Sequence, residues 1–338
     1  MSHRGTIVLL LTLAAGVLAL APFLGMEPVP LRALWGDVED YTKVDILWKL
    51  RIPRVILAFL AGTALATSGM TFQAMFRNPL ATPFTLGVSS GAALGAALCI
   101  QWGWTFSILG IPSISLSAFV GAVASILLVY ALTARTRGGS STATMLLAGV
   151  AISFFFASMI LFLQYLSDFT RTYRMLRWTM GGLENVVNFD DVLNLLPFVV
   201  SGCLIVWYFT HDLNMLTAGE EFSFARGVNV AGAKAMLFFA VSLMVGAVVA
   251  VCGPIGFVGL MVPHICRLLI GPDHRWLYPA SWLFGGIFLV VCDTAARIAL
   301  FVIVKSPAEL PVGILTSLLG GPFFLWLLLA RKNDLGTI

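Results

Sequence analysis

Two small groups of ionisable residues interrupt a sequence that is otherwise strongly apolar. Arg51 and Arg54 lie three residues apart in the segment RIPR, and Asp293 and Arg297 lie four residues apart in CDTAARIAL. Residues at these spacings share one helix face, so Asp293 and Arg297 can form an ion pair. An ionisable pair inside an apolar helix is costly and is by default a candidate for function. For Arg51 and Arg54, composition alone favours a simpler role, the anchoring of a helix end at a membrane interface.

The other polar residues do not form a recognisable catalytic or energy-converting site. The segment GVNVAGAK comes nearest to the phosphate-binding pattern GxxxxGK[ST], but alanine stands at the lysine position and again after its own lysine. Asp293 is the only acid well inside an apolar segment, which argues against a proton relay. His264, Cys266 and His274 are of metal-binding type, but no acid stands beside His264 to orient it. We therefore expect a chain that catalyses nothing and binds no cofactor or metal of its own.

The composition indicates a membrane protein with a single domain over residues 1–338. Hydrophobic residues make up 59% of the chain and charged residues 11%, with a mean hydropathy of +0.96, whereas soluble domains carry roughly 25% charged residues. The net charge of +4 does not indicate nucleic-acid binding, because the basic residues stand singly between apolar segments. The five cysteines lie in apolar runs, where we expect them to be small buried hydrophobic residues.

Apolar stretches long enough to cross a hydrocarbon core of ~30 Å as helices recur along the whole chain. With charges, prolines and glycines as boundaries, the sequence predicts ten spans, at residues 6–24, 52–75, 85–104, 113–133, 143–165, 191–210, 233–252, 256–270, 277–302 and 312–330. The eighth is short and contains Pro263, so we expect a tilted or broken helix packed within protein. We expect the first span to be an uncleaved helix rather than a signal peptide, since no convincing small-residue cleavage site follows it.

An even number of spans places both termini on one side of the membrane. With the N-terminus inside, ten basic residues fall in inner segments and nine in outer ones, so the positive-inside rule barely decides the orientation. Four of the inner ten are Arg135, Arg137, Arg331 and Lys332.

The two halves contain a candidate repeat, LAGTALATSG at 60–69 and MVGAVVAVCG at 244–253. The matched pairs are Gly62 with Gly246, Ala66 with Ala250, Gly69 with Gly253, Pro79 with Pro263, and Gly87 with Gly271. Five spans separate the copies, about 51–190 and 233–330, and an odd number inverts the second copy, as in many transporters. Chance matching of glycine and alanine is the alternative.

Two further segments are candidates for helix packing and for contact with a partner protein. Gly87, Gly91 and Gly95 share a helix face on which another backbone can approach closely. In the inner connection 211–234, Gly219 and Gly227 bracket EEFSFAR, which has acids first and a base last, as the dipole of a short helix favours. A short helix there would suit contact with another protein; an ordinary solvated loop is the alternative.

One long segment resembles the signature of the FecCD-type permeases, namely RIPRVILAFLAGTALATSGMTFQAMFRNPLATPFTLGVSSGAALGA. Matching motifs follow in the family order: MLLAGVAIS, RWTMGGL, GVNV, GPIGFVGLMVPHICRLLIGPDHRWLYPAS, CDTAARIAL and ELPVGILTSLLGGPFFLWLL. These permeases serve binding-protein-dependent ABC importers. The resemblance implies an all-α polytopic membrane protein of about ten transmembrane helices with an inverted repeat, the type II ABC importer permease fold. It places the chain in the bacterial inner membrane with both termini cytoplasmic.

The resemblance also implies partners and site residues. The partners are a second copy, two cytoplasmic subunits that use ATP and magnesium, and a periplasmic or lipid-anchored substrate-binding protein. In the family, outer basic residues pair with glutamates of the binding protein; those that match are Arg51, Arg54 and Arg297, which favours docking over anchoring.

The family's inner loop that contacts the ATPase matches residues 214–230 here. Its site residues would be Gly219, Glu220, Glu221, Ser223, Arg226, Gly227, Val228 and Asn229. Ser223 and Arg226 replace the common alanine and leucine, which suggests a partner with an acid opposite Arg226. The family's inner-gate turn matches Arg77, Asn78 and Pro79, and we group with it the gate and packing residues Gly87, Gly91, Gly95, Pro263 and Asp293.

The function implied is that of a permease that moves an iron chelate (siderophore), haem or cobalamin by alternating access, powered by the ATPase subunits. The substrate stays open among these three. An ion-coupled secondary transporter is the alternative, and it would need acids or broken-helix ion sites within the membrane. A membrane enzyme centred on His264 is a weaker one.

Overall fold

The computed structural model of the chain describes residues 3–35, 41–108, 110–134, 142–184, 188–306 and 308–334. Arg135 and Arg137 lie outside this part, and the side chains of Arg331 and Lys332 are likewise not described. The α-helices in chain order are α1 His3–Leu20, α2 Tyr41–Asp45, α3 Ile52–Met75, α4 Val88–Trp102, α5 Ser113–Ala134, α6 Thr142–Leu166, α7 Phe169–Thr179, α8 Phe189–Tyr208, α9 Thr210–Ala218, α10 Glu220–Ala225, α11 Val230–Cys252, α12 Val258–Ile270, α13 His274–Val304 and α14 Val312–Asp334.

Short elements complete the described part. Turns of 3₁₀ helix lie at Ala21–Phe23, Leu31–Trp35 and Pro83–Leu86, and a π-helical turn at Ile46–Arg51 joins α2 to α3. Two short strands, β1 Ser107–Ile108 and β2 Ile111–Pro112, form an antiparallel pair with Ser107 opposite Pro112.

Ten apolar helices lie where the ten spans are predicted. Seven helical segments are long and apolar enough to cross a membrane, and the apolar helices Val88–Trp102, Val258–Ile270 and Val312–Leu327 are shorter. The all-helical membrane fold is confirmed: among the described residues, helices lie at all ten predicted positions and seven of them are of spanning length, although α4 starts later than the span 85–104. It does so because Pro83–Leu86 forms a separate 3₁₀ turn, in which Thr82 and Thr85 cap each other.

The helix α3 lies at the centre of the bundle. Nearly all of its residues from Val55 to Met75 are buried, and it packs against α8, α11, α12 and α13. Its contact with α12 is a direct backbone contact, since a Cβ atom on Gly69 would lie 1.8 Å from the carbonyl oxygen of Gly259. Glycine is therefore required at position 69.

The short helix α12 is 13 residues long and carries Pro263 inside it, as expected. Proline has no N–H, so the carbonyl of Gly259 four residues earlier loses its helical donor. Gln73 on α3 replaces that donor, because its Nε2 lies 3.3 Å from the Gly259 oxygen. The Gln73 amide oxygen also accepts a hydrogen bond from Arg267 of α12. The helix is continuous through Pro263 rather than broken, and the carbonyl that the proline leaves without a donor is hydrogen-bonded by the neighbouring helix.

The glycines of α4 pack against α5 as predicted. Cβ atoms on Gly91 and Gly95 would lie 2.5 and 2.1 Å from carbonyl oxygens of Gly121 and Ser117. Gly87 differs, because it precedes the helix with a φ of +83° and its carbonyl accepts a hydrogen bond from Ser125. The prediction that all three glycines share one helix face is therefore wrong for Gly87, which lies before the helix.

The candidate repeat is matched at one pair of positions and not at another. Gly87 and Gly271 both have positive φ, +83° and +87°, and they come shortly before α4 and α13. Pro79 lies in a turn, whereas Pro263 lies inside α12. The inverted repeat and its boundaries stay a prediction.

Candidate functional site

The first predicted group forms a cluster where the start of α3 meets the last third of α13. The Asp293 carboxylate accepts hydrogen bonds from Arg54 Nη2 at 2.9 Å and from Arg54 Nε at 3.1 Å. Arg297 Nε lies 3.2 Å from Asp293 Oδ2, which confirms the predicted ion pair. The Asp293 side chain is only 1% exposed. One buried carboxylate therefore holds two arginines on two different helices.

Arg54 has a second acidic partner that the sequence did not indicate. Its Nη1 donates to Glu309 Oε2 at 2.7 Å, and Glu309 lies between α13 and α14. The Glu309 side chain is 30% exposed, against 11% for Arg54. The outward side of the guanidinium is thus occupied by an acid of the same chain.

Arg51 does not extend to the surface as an interface anchor would. Its guanidinium donates to the backbone carbonyls of Pro22, at 3.2 Å, and Glu27, at 2.6 Å, and the residue is 8% exposed. It ties the segment after α1 to the start of α3. The guanidinium is therefore bound to backbone oxygen, a contact that residue spacing does not predict.

The three predicted arginines line one cleft of about 470 Å³, together with Arg177, Glu27, Glu184 and Glu309. Arg177 Nη2 lies 3.6 Å from Glu184 Oε1. With Asp293 behind it, the cleft contains four arginines and four carboxylates, and its formal charge is balanced.

The segment predicted to contact a partner protein, between Gly219 and Gly227, contains a short helix, as predicted. The helix α10 spans Glu220–Ala225 with Glu220 and Glu221 in its first turn, and Glu220 forms an ion pair with Lys234 at 2.6 Å. Arg226 follows the helix, and its guanidinium lies over the Phe222 ring, 5.2 Å from the centroid. Phe224, which the sequence did not single out, is 77% exposed. The exposed surface here is aromatic as well as charged.

Several residues assigned to this segment have internal roles. Ser223 is fully buried and its Oγ donates to the Gly219 carbonyl at 2.6 Å, while its own carbonyl accepts from the Val228 N–H at 3.1 Å. Asn229 Oδ1 accepts from the Gly232 N–H at 3.0 Å and so caps α11. These residues shape the segment, and Gly227 forms its turn.

The inner turn lies beside this segment. Asn78 Oδ1 accepts from the Leu80 N–H at 2.9 Å, and the Asn78 backbone carbonyl accepts from the Ala81 N–H at 3.1 Å. Pro79 lies in the same turn. Arg77 Nη1 lies 3.9 Å from the position that a Cβ on Gly219 would take. The predicted gate turn and the predicted ATPase segment therefore adjoin each other, at the opposite end of α3 from the arginine cleft.

The residues of metal-binding type are separated. His274 Nδ1 lies 2.7 Å from Asn214 Oδ1, and the His264 ring packs edge-on against Phe323. All five cysteines are buried and free, as expected. Within the described ranges, no three His, Cys, Asp or Glu side chains are grouped to hold a metal ion.

Comparisons with known proteins agree along nearly the whole chain. The model of the FecCD transport family matches residues 8–330. The hemin transport system permease protein HmuU of Yersinia pestis is 38% identical over 97% of this chain and 95% of its own. The cobalamin import system permease protein BtuC of Halobacterium salinarum is 42% identical over 85% and 74%. A solved metal-chelate type ABC transporter in an inward-facing conformation superposes with a TM-score of 0.83, at 29% identity, over 97% of this chain and 99% of that chain.

Proposed function

The chain belongs to the FecCD transport family, and from that premise we propose that it is the permease of an ATP-driven importer of haem, cobalamin or an iron chelate. One observation carries the division of labour. The arginine cleft lies at the first turn of α3, and the Arg77 turn with the α9 to α10 segment lies beyond its last turn. A helix of 24 residues spans about 36 Å, so the two polar sites stand on opposite faces of a membrane.

The proposed partners divide between these two faces. A substrate-binding protein docks at the arginine cleft, and two ATPase subunits contact the segment 214–230, with both termini of the permease on the ATPase side. Because Glu309 and Asp293 already hold Arg54, a docking carboxylate replaces Glu309 at Arg54. ATP binding and hydrolysis then drive alternating access in the bacterial inner membrane.

A second copy of the chain completes the proposed pathway. The helix α6 is the least buried of the seven long spans, with 17% of its best window buried. It exposes large apolar side chains, among them Phe155 and Phe162. A homodimer would cover part of this face. Native mass spectrometry of the permease alone should give the mass of two copies, and a monomer only would contradict this part.

Reconstituted transport tests the function. The permease is placed in liposomes with its ATPase subunits inside, and the binding protein, loaded with haem, cobalamin or a ferric siderophore, is added outside. ATP-dependent accumulation of one substrate is expected, and none with an ATPase subunit that binds but does not hydrolyse ATP. Uptake on a proton or sodium gradient without any ATPase would overturn the proposal in favour of a secondary transporter.

A further inference from the structure

We propose that Asn214 is a positioning residue that joins the cytoplasmic segment to α13, through which movement at α9 and α10 reaches the arginine cleft. The inference rests on the proposed function, because it assigns a route to the coupling between the ATPase and the binding protein. It is carried by a cluster of hydrogen bonds at the inner end of α13.

The Asn214 side chain uses both ends of its amide on the N-terminus of α13. Its Oδ1 accepts from the backbone N–H of His274 at 2.9 Å and lies 2.7 Å from His274 Nδ1. Its Nδ2 donates to Asp273 Oδ1 at 2.7 Å. One side chain of α9 therefore binds two consecutive residues at the start of α13.

Asp273 makes this contact rigid, because it is also the N-cap of α13. Its Oδ1 accepts from the Arg275 N–H at 3.0 Å. Burial favours the neutral acid, but the bonds from Arg275 and Asn214 outweigh it and hold the pKa of Asp273 below its ordinary value. A charged cap at a helix N-terminus is also favoured by the helix dipole. Asn214 thus acts on a fixed point of α13.

A second contact lies one turn earlier on α9. His211 Nδ1 is 3.3 Å from Arg275 Nη2, and His211 and Asn214 stand three residues apart, on one helix face. The adjacent Leu213 and Leu216 are fully or almost fully buried. Two polar contacts and a buried apolar face orient α9 across the end of α13, so α9 cannot turn without moving it.

The helix α13 is the element that can carry the movement outward. It runs as one helix of 31 residues from His274 to Val304, with Pro279 in its second turn, and is about 46 Å long at 1.5 Å per residue. Asp293 and Arg297 lie toward its far end, where Asp293 binds Arg54. A shift of α13 along α3 changes the Asp293 to Arg54 geometry directly. The experiment below therefore measures the coupling between the two sites directly.

The test uses the complete transporter, with its ATPase subunits and binding protein, in lipid nanodiscs. Two ratios report coupling. The first is the rate of ATP hydrolysis with loaded binding protein divided by the rate without it. The second is the affinity for the binding protein without ATP divided by the affinity with ATP. In the Asn214→Ala variant we expect both ratios to fall by about fivefold, the lower end of typical coupling. Thr210→Ala is the matched control, since its hydroxyl donates to the carbonyl of Trp207 at the end of α8, and both ratios should match wild type.

Exchanging the residue types of Asn214 and Asp273 separates a positioning role from a general loss of structure. Asn214→Asp alone places two carboxylates in contact and should lower both ratios. In the Asn214→Asp, Asp273→Asn double variant, an amide again donates to a carboxylate and an oxygen remains for each backbone N–H, so both ratios should recover.

The outcomes are distinguishable. Wild-type ratios in the Asn214→Ala complex would overturn the proposal. If that variant does not assemble, the double variant decides. Assembly with recovered ratios supports the positioning role of the Asn214 to Asp273 contact, and assembly without recovered ratios overturns it. If the rate of ATP hydrolysis by the wild-type complex does not change when the loaded binding protein is added, the proposed function is refuted, and this inference with it.

Discussion

Replacing Glu309 by glutamine should make the binding protein dock more tightly. Glu309 Oε2 lies 2.7 Å from Arg54 Nη1, in the cleft where a docking carboxylate is proposed to bind. Glutamine keeps the size of the side chain and removes its charge. Arginine variants are poor probes of the same idea, because Arg54 and Arg297 also neutralise the buried Asp293. Charge reversal at either arginine would place a second acid against that carboxylate.

The size of the effect follows from the exposure of the pair. Glu309 is 30% exposed and Arg54 11%, between a surface pair worth ~0.2–1 kcal/mol and a buried hydrogen bond to a charged group worth ~1.5–3 kcal/mol. About 1 kcal/mol is therefore lost when Glu309 is displaced. Since 1.4 kcal/mol is tenfold in affinity, the Glu309→Gln variant should bind about fivefold more tightly.

Biolayer interferometry on the nanodisc-embedded complex, titrated with the binding protein at fixed salt, measures this Kd. Glu184→Gln is the matched control, because it removes one negative charge from the same cleft without touching Arg54; it should change the Kd by less than about twofold, as expected for a partly exposed pair. An unchanged or weaker Kd in Glu309→Gln would refute the displacement. Equal tightening in both variants would show a general charge effect instead.

Three further predictions concern stability and the inner partner. Arg54→Ala should lower the thermal midpoint in detergent by scanning fluorimetry, since breaking a buried ion pair costs about 3–5 kcal/mol; an unchanged midpoint would contradict the assigned pairing. Phe224→Ala should weaken ATPase-subunit binding about tenfold in a pull-down titration, because exposed aromatic residues anchor interfaces, while the midpoint stays unchanged because the side chain is exposed. Gly69→Ala should reduce the monodisperse yield on size-exclusion chromatography, because its Cβ would lie 1.8 Å from a carbonyl oxygen. Gly16→Ala should behave as wild type, because among the described residues nothing beyond its own helix turn lies within 4 Å of the added Cβ.

The sequence predicted what depends on local periodicity. The spans follow from hydropathy, and the Asp293 to Arg297 pair follows from a spacing of four on one helix. The short helix α10 was likewise predicted from the two acids in its first turn, because the helix dipole favours negative charge at the N-terminus. Each of these features is decided within a few residues of its own position, which is why it could be read before the fold.

Contacts between distant segments could not be predicted in this way. Arg54 and Asp293 are 239 residues apart, and Glu309 lies between helices, where no periodicity applies. Arg51 binds backbone carbonyls, which every residue possesses and no sequence pattern marks. Ser223 stands beside charged residues and yet is fully buried, because its hydroxyl closes the turn at Gly219. The charged and polar residues that the sequence shows are therefore not the same set as the residues that the fold exposes at the two candidate sites.

The shared carboxylate of Asp293 decides how the arginine cleft can work. Because Asp293 is 1% exposed, it cannot be exchanged for a partner's acid, and it holds Arg54 and Arg297 in place whether or not a partner is bound. Glu309 is the exchangeable acid on Arg54, so the proposed docking would replace one carboxylate by another and leave the number of ion pairs unchanged. Such an exchange contributes little net affinity, but it penalises any partner that does not place an acid opposite Arg54. If the proposed partner docks here, the cleft would select the partner and its register, and the affinity would come from the rest of the docking surface.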